Sequence, residues 1–251
     1  MKALFRLLGL VVLAGLALQF YFVGRIAAMA LLDPESTTFQ RSEIWRVASS
    51  TGSLKWRQRW VPYSQISDNL KRAVIASEDA GFALHDGVDV EALEKAWDKN
   101  AKAEQRSQSS AARLVPGKAA EPGKTARPPK IVGGSTITQQ LAKNLFLSGE
   151  RTLLRKGQEL VLALLLEAFL SKERILEIYL NNVEWGEGVF GAQAAAEHYY
   201  RKPAAKLSPF EAARLAVMLP RPKYFETRPN SAYLSSRAVT ITARMGDVLL
   251  P

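Results

Sequence analysis

Apolar residues run almost unbroken from Leu7 to Val23, LLGLVVLAGLALQFYFV, with Gln19 the one interruption. A helix crossing a bilayer needs about 20 such residues, fewer where flanking Lys or Arg side chains reach the headgroups. The run predicts an uncleaved anchor within residues 1–32. A cleaved signal peptide is the alternative, since Ala28-Met29-Ala30 forms an A-x-A pattern. Against it, the run exceeds the roughly 7–15 residues of a secretory apolar core, and Arg25 and Ile26 intervene. As the first helix of the chain, followed by a long domain, the anchor is expected to leave its N-terminus in the cytoplasm.

Residues 33–62 are mixed, and WRQRWVPY (56–63) concentrates Trp and Arg. Indole and guanidinium groups suit a membrane interface, and they equally suit caps over a small satellite core. Helical spacing then begins after Ser67, a good N-cap with Asp68 in the first turn, and ends at Glu78-Asp79. From Gly133 to Leu147, GGSTITQQLAKNLFL, a glycine turn leads into a helix that Ser135 could cap. Ile137, Leu141 and Leu145 share one face of that helix, with Thr136, Gln139, Gln140 and Lys143 opposite. Leu160 to Leu166 is apolar all round and predicts a buried central helix; Glu159 and Glu167 interrupt it too much for a second span. SKERILEIYLN (171–181) has the spacing of an amphipathic packing helix. The pattern is mostly α, with an N-terminal anchor (1–32), a membrane-proximal segment (33–62) and one folded domain (63–251).

Composition refines this picture. The 251 residues have a net charge of +10 and no cysteine, which excludes disulfides and thiolate metal sites. The charge calls for an anionic partner. Residues 99–130, however, hold eight Lys or Arg against two Glu, so +6 of the +10 lies there. That stretch, with four prolines and two glycines, is expected to be a flexible basic loop held near anionic headgroups. The remainder is too weakly basic for a nucleic-acid partner.

Two motif matches fail on context. Gly186-x-Gly188-x-x-Gly191 follows a helical pattern without a preceding strand, so it is no dinucleotide site. Ser67-Asp68-Asn69 lacks the S-x-x-K and K-T-G that a serine transpeptidase requires.

The chemistry centres on carboxylates. Glu78 and Asp79 close a helix, where the macrodipole disfavours their ionised forms; that placement is poor for stability and useful for a general base. The turn and polar helix face at 133–143 have the make-up of an anion site. Glu159, with Arg155 a turn back and Lys156 alongside, is either a structural ion pair or part of a phosphate and metal site.

EDAGFALHDG (78–87), GGSTITQQLAKN (133–144), RKGQE (155–159), SKERILEIYLN (171–181) and GVFGAQAAAEHYYRKPAAKLSPFEAARLA (188–216) occur in an order that resembles the peptidoglycan glycosyltransferase family. Its members are bifunctional penicillin-binding proteins and monofunctional membrane-anchored transglycosylases. Without transpeptidase signatures, and ending soon after the last motif, the chain resembles the monofunctional branch. The resemblance implies a two-lobed, lysozyme-like helical domain that polymerises lipid II into β-1,4 glycan strands and releases polyprenyl diphosphate. It implies Glu78 as general base and Glu159 as second essential carboxylate. Asp79, Phe82, His85, Ser135, Gln139, Gln140, Lys143, Arg155 and Lys156 are implied in substrate binding, the last six around the donor diphosphate.

No cofactor is implied as obligatory, a divalent cation (Mg or Mn) is an option, and the metal ligands are unknown. The implied partners are lipid II, the nascent strand, the bilayer and proteins of division or elongation. The implied location is a single-pass inner-membrane protein with its domain in the periplasm. Departures from the family are Ala80 at a usually basic position, a small Gly81, YYRK (199–202) for Y-F-G-K, and the long basic loop. A lysozyme-like hydrolase and a non-catalytic scaffold are the alternatives. The Lys/Arg set argues against the first, the intact Glu78 and Glu159 against the second.

Overall fold

The computed structural model describes residues 1–52, 56–112, 134–147 and 152–251. They form two compact units, Met1–Gly87 with Thr136–Pro251, and Val88–Ser135. The larger unit contains helices α1 (Lys2–Ala28), α2 (Thr38–Thr51) and α3 (Asp68–Glu78), with strand β1 (Arg57–Gln58) between the last two. The smaller unit contains α4 (Val90–Ala112). The larger unit resumes with α5 (Ile137–Phe146), α6 (Leu153–Phe169), α7 (Lys172–Asn182), strands β2 (Glu184–Gly186) and β3 (Val189–Phe190), and α8 (Ala192–Tyr200). It closes with α9 (Pro209–Met218), α10 (Pro222–Glu226) and α11 (Ala232–Arg244).

Local chemistry sets the helix boundaries. Ser67 caps α3, its Oγ accepting from Leu70 N at 3.2 Å, which satisfies one of the free N–H groups of the first turn. Ser171 and Ser208 cap α7 and α9 in the same way. α3 packs against α9 and α11, and α5 against α6 and α7. Ile137, Leu141 and Leu145 of α5 are fully buried, as their spacing predicts; each contributes about 1.5–3 kcal/mol by leaving water. Trp185 is fully buried, and its indole N–H donates to Leu215 O at 3.1 Å.

The three strands lie in the order β1-β3-β2, with β1 parallel and β2 antiparallel to β3. The glycine-rich segment at 186–191 is thus the β2–β3 hairpin and the entry to α8. A strand does precede it, contrary to expectation, but a second strand and not a helix follows Gly188, so it is still no strand-to-helix dinucleotide turn. Gly191 has φ +84°, and a Cβ there would lie 2.6 Å from Asn181 O. Gly191→Ala is expected to cost at least about 1–3 kcal/mol in backbone strain alone. At about 2–4 °C per kcal/mol for a chain of this size, thermal unfolding should show a lower Tm; an unchanged Tm would contradict the clash.

Two expectations need correction. α6 is not buried all round: Leu162, Ala163 and Leu166 are buried, whereas Leu160, Val161 and Leu164 are 40–47% exposed. α6 has two apolar faces, of which only one meets the core. Part of the loop expected over 99–130 is helix instead, because α4 continues to Ala112. Its sequence, KNAKAEQRSQSSAA (99–112), is rich in Ala, with Lys, Gln, Arg and Glu, which favour helix once Asp89 Oδ1 has capped the start by accepting from Ala92 N at 2.7 Å. Residues 113–130 of the expected loop, and Gly133 of the expected glycine turn, lie outside the described residues. Trp56 stacks on Phe190 at 4.5 Å, and Trp60, with Arg174 5.5 Å over its ring, packs against the main hydrophobic core.

Candidate active site

Glu78 is the last residue of α3 and is partly buried. Its Oε2 accepts from Gln140 Nε2 at 3.1 Å, and Ser77 Oγ lies 3.5 Å from Oε1. Burial pushes the Glu78 carboxyl above the usual carboxylate range, and the charge of Asp79 adds to this. The hydrogen bonds from Gln140 and Ser77 and the charge of Lys143 act the other way without cancelling it. A carboxylate at a helix C-terminus, short of water, is in a place where gaining a proton is favoured.

Tyr179 on α7 holds Gln140 in place. Its hydroxyl donates to Gln140 Oε1 at 3.1 Å. Burial first, then the charges of Glu78 and Asp79, raise the phenol well above its ordinary value, so it keeps its proton and stays a donor. With the amide oxygen committed to Tyr179, the amide N–H must face Glu78.

The turn after Glu78 is tied down from three sides. Asp79 Oδ1 lies 2.9 Å from His85 Nε2, and Oδ2 accepts from Ile137 N, in the first turn of α5, at 2.9 Å. Phe82 is fully buried under Lys172 Nζ, 4.6 Å from the ring centroid. Lys172 also donates to His85 O and pairs with Glu167 Oε1 at 2.8 Å. Thr138 Oγ1 donates to the same Glu167 oxygen at 2.6 Å. Asp79, Phe82 and His85 therefore form the scaffold of the turn.

On α5 the polar residues divide. The N-cap is Thr136, not Ser135: Thr136 Oγ1 accepts from Gln139 N, and Gln139 Oε1 accepts from Thr136 N. Gln139 is thereby buried in a capping box, and its amide oxygen is committed to the backbone. Ser135 is exposed at the end of the smaller unit. Gln140 and Lys143 are the two α5 side chains that act on Glu78.

α6, the neighbour of α5, carries the second carboxylate. Glu159 is 4% exposed; its Oε1 lies 2.5 Å from Lys156 Nζ and its Oε2 3.2 Å from Arg155 Nη1. One turn of helix thus presents two cations gathered on one carboxylate. Both Glu159 oxygens are engaged, so this side chain fits poorly as a ligand for a divalent metal and well as an orienter of the cations.

Sequence reasoning missed Tyr179, Thr138, Glu167 and Lys172. Lys172 and Tyr179 lie inside SKERILEIYLN, where the apolar spacing drew attention away from the polar groups. The only signal was a tyrosine and a lysine at helix positions that also face the core.

Residues 46–111 and 123–246 match the family described as Transglycosylase. A Burkholderia thailandensis protein described as "Biosynthetic peptidoglycan transglycosylase" is 52% identical over 238 residues, 95% of this chain and 84% of that protein. Proteins of the same description from Burkholderia pseudomallei and Burkholderia orbicola are 51% and 48% identical over 238 residues. The match again covers 95% of this chain, and 84% and 87% of those two proteins.

Proposed function

The chain belongs to the transglycosylase family, and from that premise we propose that it polymerises lipid II with Glu78 as the general base. It is a peptidoglycan transglycosylase, an enzyme on a mostly helical, lysozyme-like domain. Glu78 takes the proton of the acceptor sugar's 4-hydroxyl. The freed oxygen attacks the anomeric carbon of the donor as the bond to the diphosphate breaks, and the configuration inverts. The electron pair leaves on the polyprenyl diphosphate. A diphosphate is stabilised by cations where a sugar leaving group would need a proton, and Arg155, Lys156 and Lys143 are the cations available. Glu159 holds the first two in register. Glu78 then gives its proton to water and the cycle repeats.

The observation that carries this reading is the asymmetry of the two carboxylates. Glu78 is held short of water with one amide donor on its Oε2, and Glu159 is clasped by two cations. α1 is the one helix among the described residues long and apolar enough to span a membrane. In the proposed arrangement it anchors the domain on the periplasmic face of the inner membrane. Lipid covers the exposed apolar side of α6 there, where a lipid-linked substrate arrives.

Product analysis tests the reaction. Labelled lipid II incubated with the detergent-solubilised protein should give long glycan that a β-1,4-specific muramidase digests completely. Cleavage of preformed glycan without polymer would replace this reading with the hydrolase.

The Glu78 surroundings also predict a pH effect. Since its carboxyl is raised, kcat/KM should fall on the acid side at a pH above the usual carboxylate range. Gln140→Ala removes a donor that favours the ionised form, so the acid limb should move further up. A hydrogen bond to a charged group is worth about 1.5–3 kcal/mol, partly replaced by water, so the upward move should be visible in the pH profile. A limb that stays in place or moves down would contradict the Gln140–Glu78 contact.

A further inference from the structure

The membrane helix of a tethered enzyme needs no particular rotation about its axis, yet α1 has one. Gln19, Phe22, Val23, Ile26 and Met29 form a stripe at three- and four-residue spacing that is buried or partly buried, while their neighbours Phe20, Tyr21, Gly24 and Ala27 are exposed. Phe22 meets Phe146 edge to face at 5.3 Å, and Arg25 lies 5.8 Å from the same ring. Arg174 of α7 fixes the far end. Its guanidinium donates to Met29 O at 2.8 Å and Leu32 O at 3.0 Å, pairs with Asp33 at 2.8 Å, and is itself held by Glu177 at 2.6 Å.

The remaining contact falls at the one polar position of the apolar run. The amides of Gln19 and Gln158 face each other reciprocally, Nε2 to Oε1 at 3.4 Å in one direction and 3.5 Å in the other. The apolar neighbours of Gln19 on α1 leave its amide few other partners, so the pair resists sliding or rotation of α1 along α6. Gln158 precedes Glu159 directly and lies within the turn that carries Arg155 and Lys156.

We propose that Gln19 is a positioning residue of the enzyme: through Gln158 it fixes the depth and rotation of α6 against the membrane helix, and so the placement of the Arg155–Lys156–Glu159 cluster. The membrane helix is thereby a wall of the catalytic unit as well as its anchor. This inference rests on the donor-side role proposed above for that cluster, and the cation cluster acts on the leaving diphosphate, so loss of position should reach kcat more than KM.

The absence of cysteine from the chain allows a direct test in membranes. Gln19→Leu should stay in the membrane fraction with an unchanged Tm, while its kcat on lipid II falls about tenfold and KM moves little. In the double variant Gln19→Cys with Gln158→Cys, a short bis-methanethiosulfonate should cross-link the two positions. The cross-link should restore kcat, and reduction should lower it again. Phe20→Cys with Gln158→Cys should cross-link poorly, because Phe20 faces away. Equal cross-linking of the two pairs, or none at 19–158, would overturn the contact. Efficient 19–158 cross-linking with full kcat in Gln19→Leu would overturn the positioning role. A wild type inactive on lipid II counts separately, against the functional reading, and the cross-link yields then still decide the α1–α6 contact.

Discussion

Replacing Glu78 with glutamine is expected to lower kcat on lipid II by about 10³-fold, within the range that removal of a general base produces. The substitution keeps the shape of the side chain and an oxygen that can accept from Gln140 Nε2. What it removes is the ability to take a proton. Its effect on stability should run the other way. Because burial raises the Glu78 carboxyl, its contribution to folding is fully present below the unfolded-state value and is lost as pH rises through the folded-state value. At neutral pH the native protein therefore carries a carboxylate where it is disfavoured, and a neutral amide relieves this. A Tm equal to or above that of the wild type, together with lost activity, is the expected pair. A large drop in Tm would assign Glu78 a structural role instead.

Glu159→Gln should behave differently on both counts. The amide cannot neutralise Arg155 and Lys156, so two like charges one residue apart lose their common partner. The cation pair then no longer keeps its geometry toward the diphosphate, and kcat should fall about 10²-fold, the loss typical of one electrostatic stabiliser. Stability should fall too, since Glu159 is almost fully buried. Breaking a fully buried pair costs about 3–5 kcal/mol, but the Lys156 side chain is half exposed and water takes over part of its role. A loss of about 1–2 kcal/mol is expected, seen as a Tm lower by about 2–8 °C. If Glu159→Gln matched Glu78→Gln, with activity gone and Tm held or raised, the division of labour between the two carboxylates would be wrong.

Much of this was legible in the sequence because it rests on local rules. Ser67 as N-cap, the buried Ile137-Leu141-Leu145 face and the close of α3 at Glu78 follow from spacing and capping alone. The Arg155–Lys156–Glu159 cluster follows from i, i+3 and i, i+4 geometry. The errors arose where a residue satisfies two local rules at once. Ser135 and Thr136 are both able to cap, and the box that Gln139 completes selects Thr136. That same box commits the Gln139 amide oxygen to the backbone, although spacing puts it beside Gln140. Leu160 to Leu166 is apolar enough for a core, but burial depends on what lies opposite, and α5, α1 and α7 together leave Leu160, Val161 and Leu164 uncovered. The segment 99–112 carries turn-rich sequence just downstream and helix-forming sequence within, and the helix-forming residues decided its structure. Tyr179 could not be found locally, because its role exists only once α7 sets it against α5.

The most direct measurement is a time course with labelled lipid II, comparing wild type and Glu78→Gln at matched membrane content and resolving products by size. The expected result is polymer from the wild type and unconverted lipid II from Glu78→Gln over the same time. Polymer from the variant at a rate within a few-fold of the wild type would contradict it, and the proton acceptor would have to be sought elsewhere.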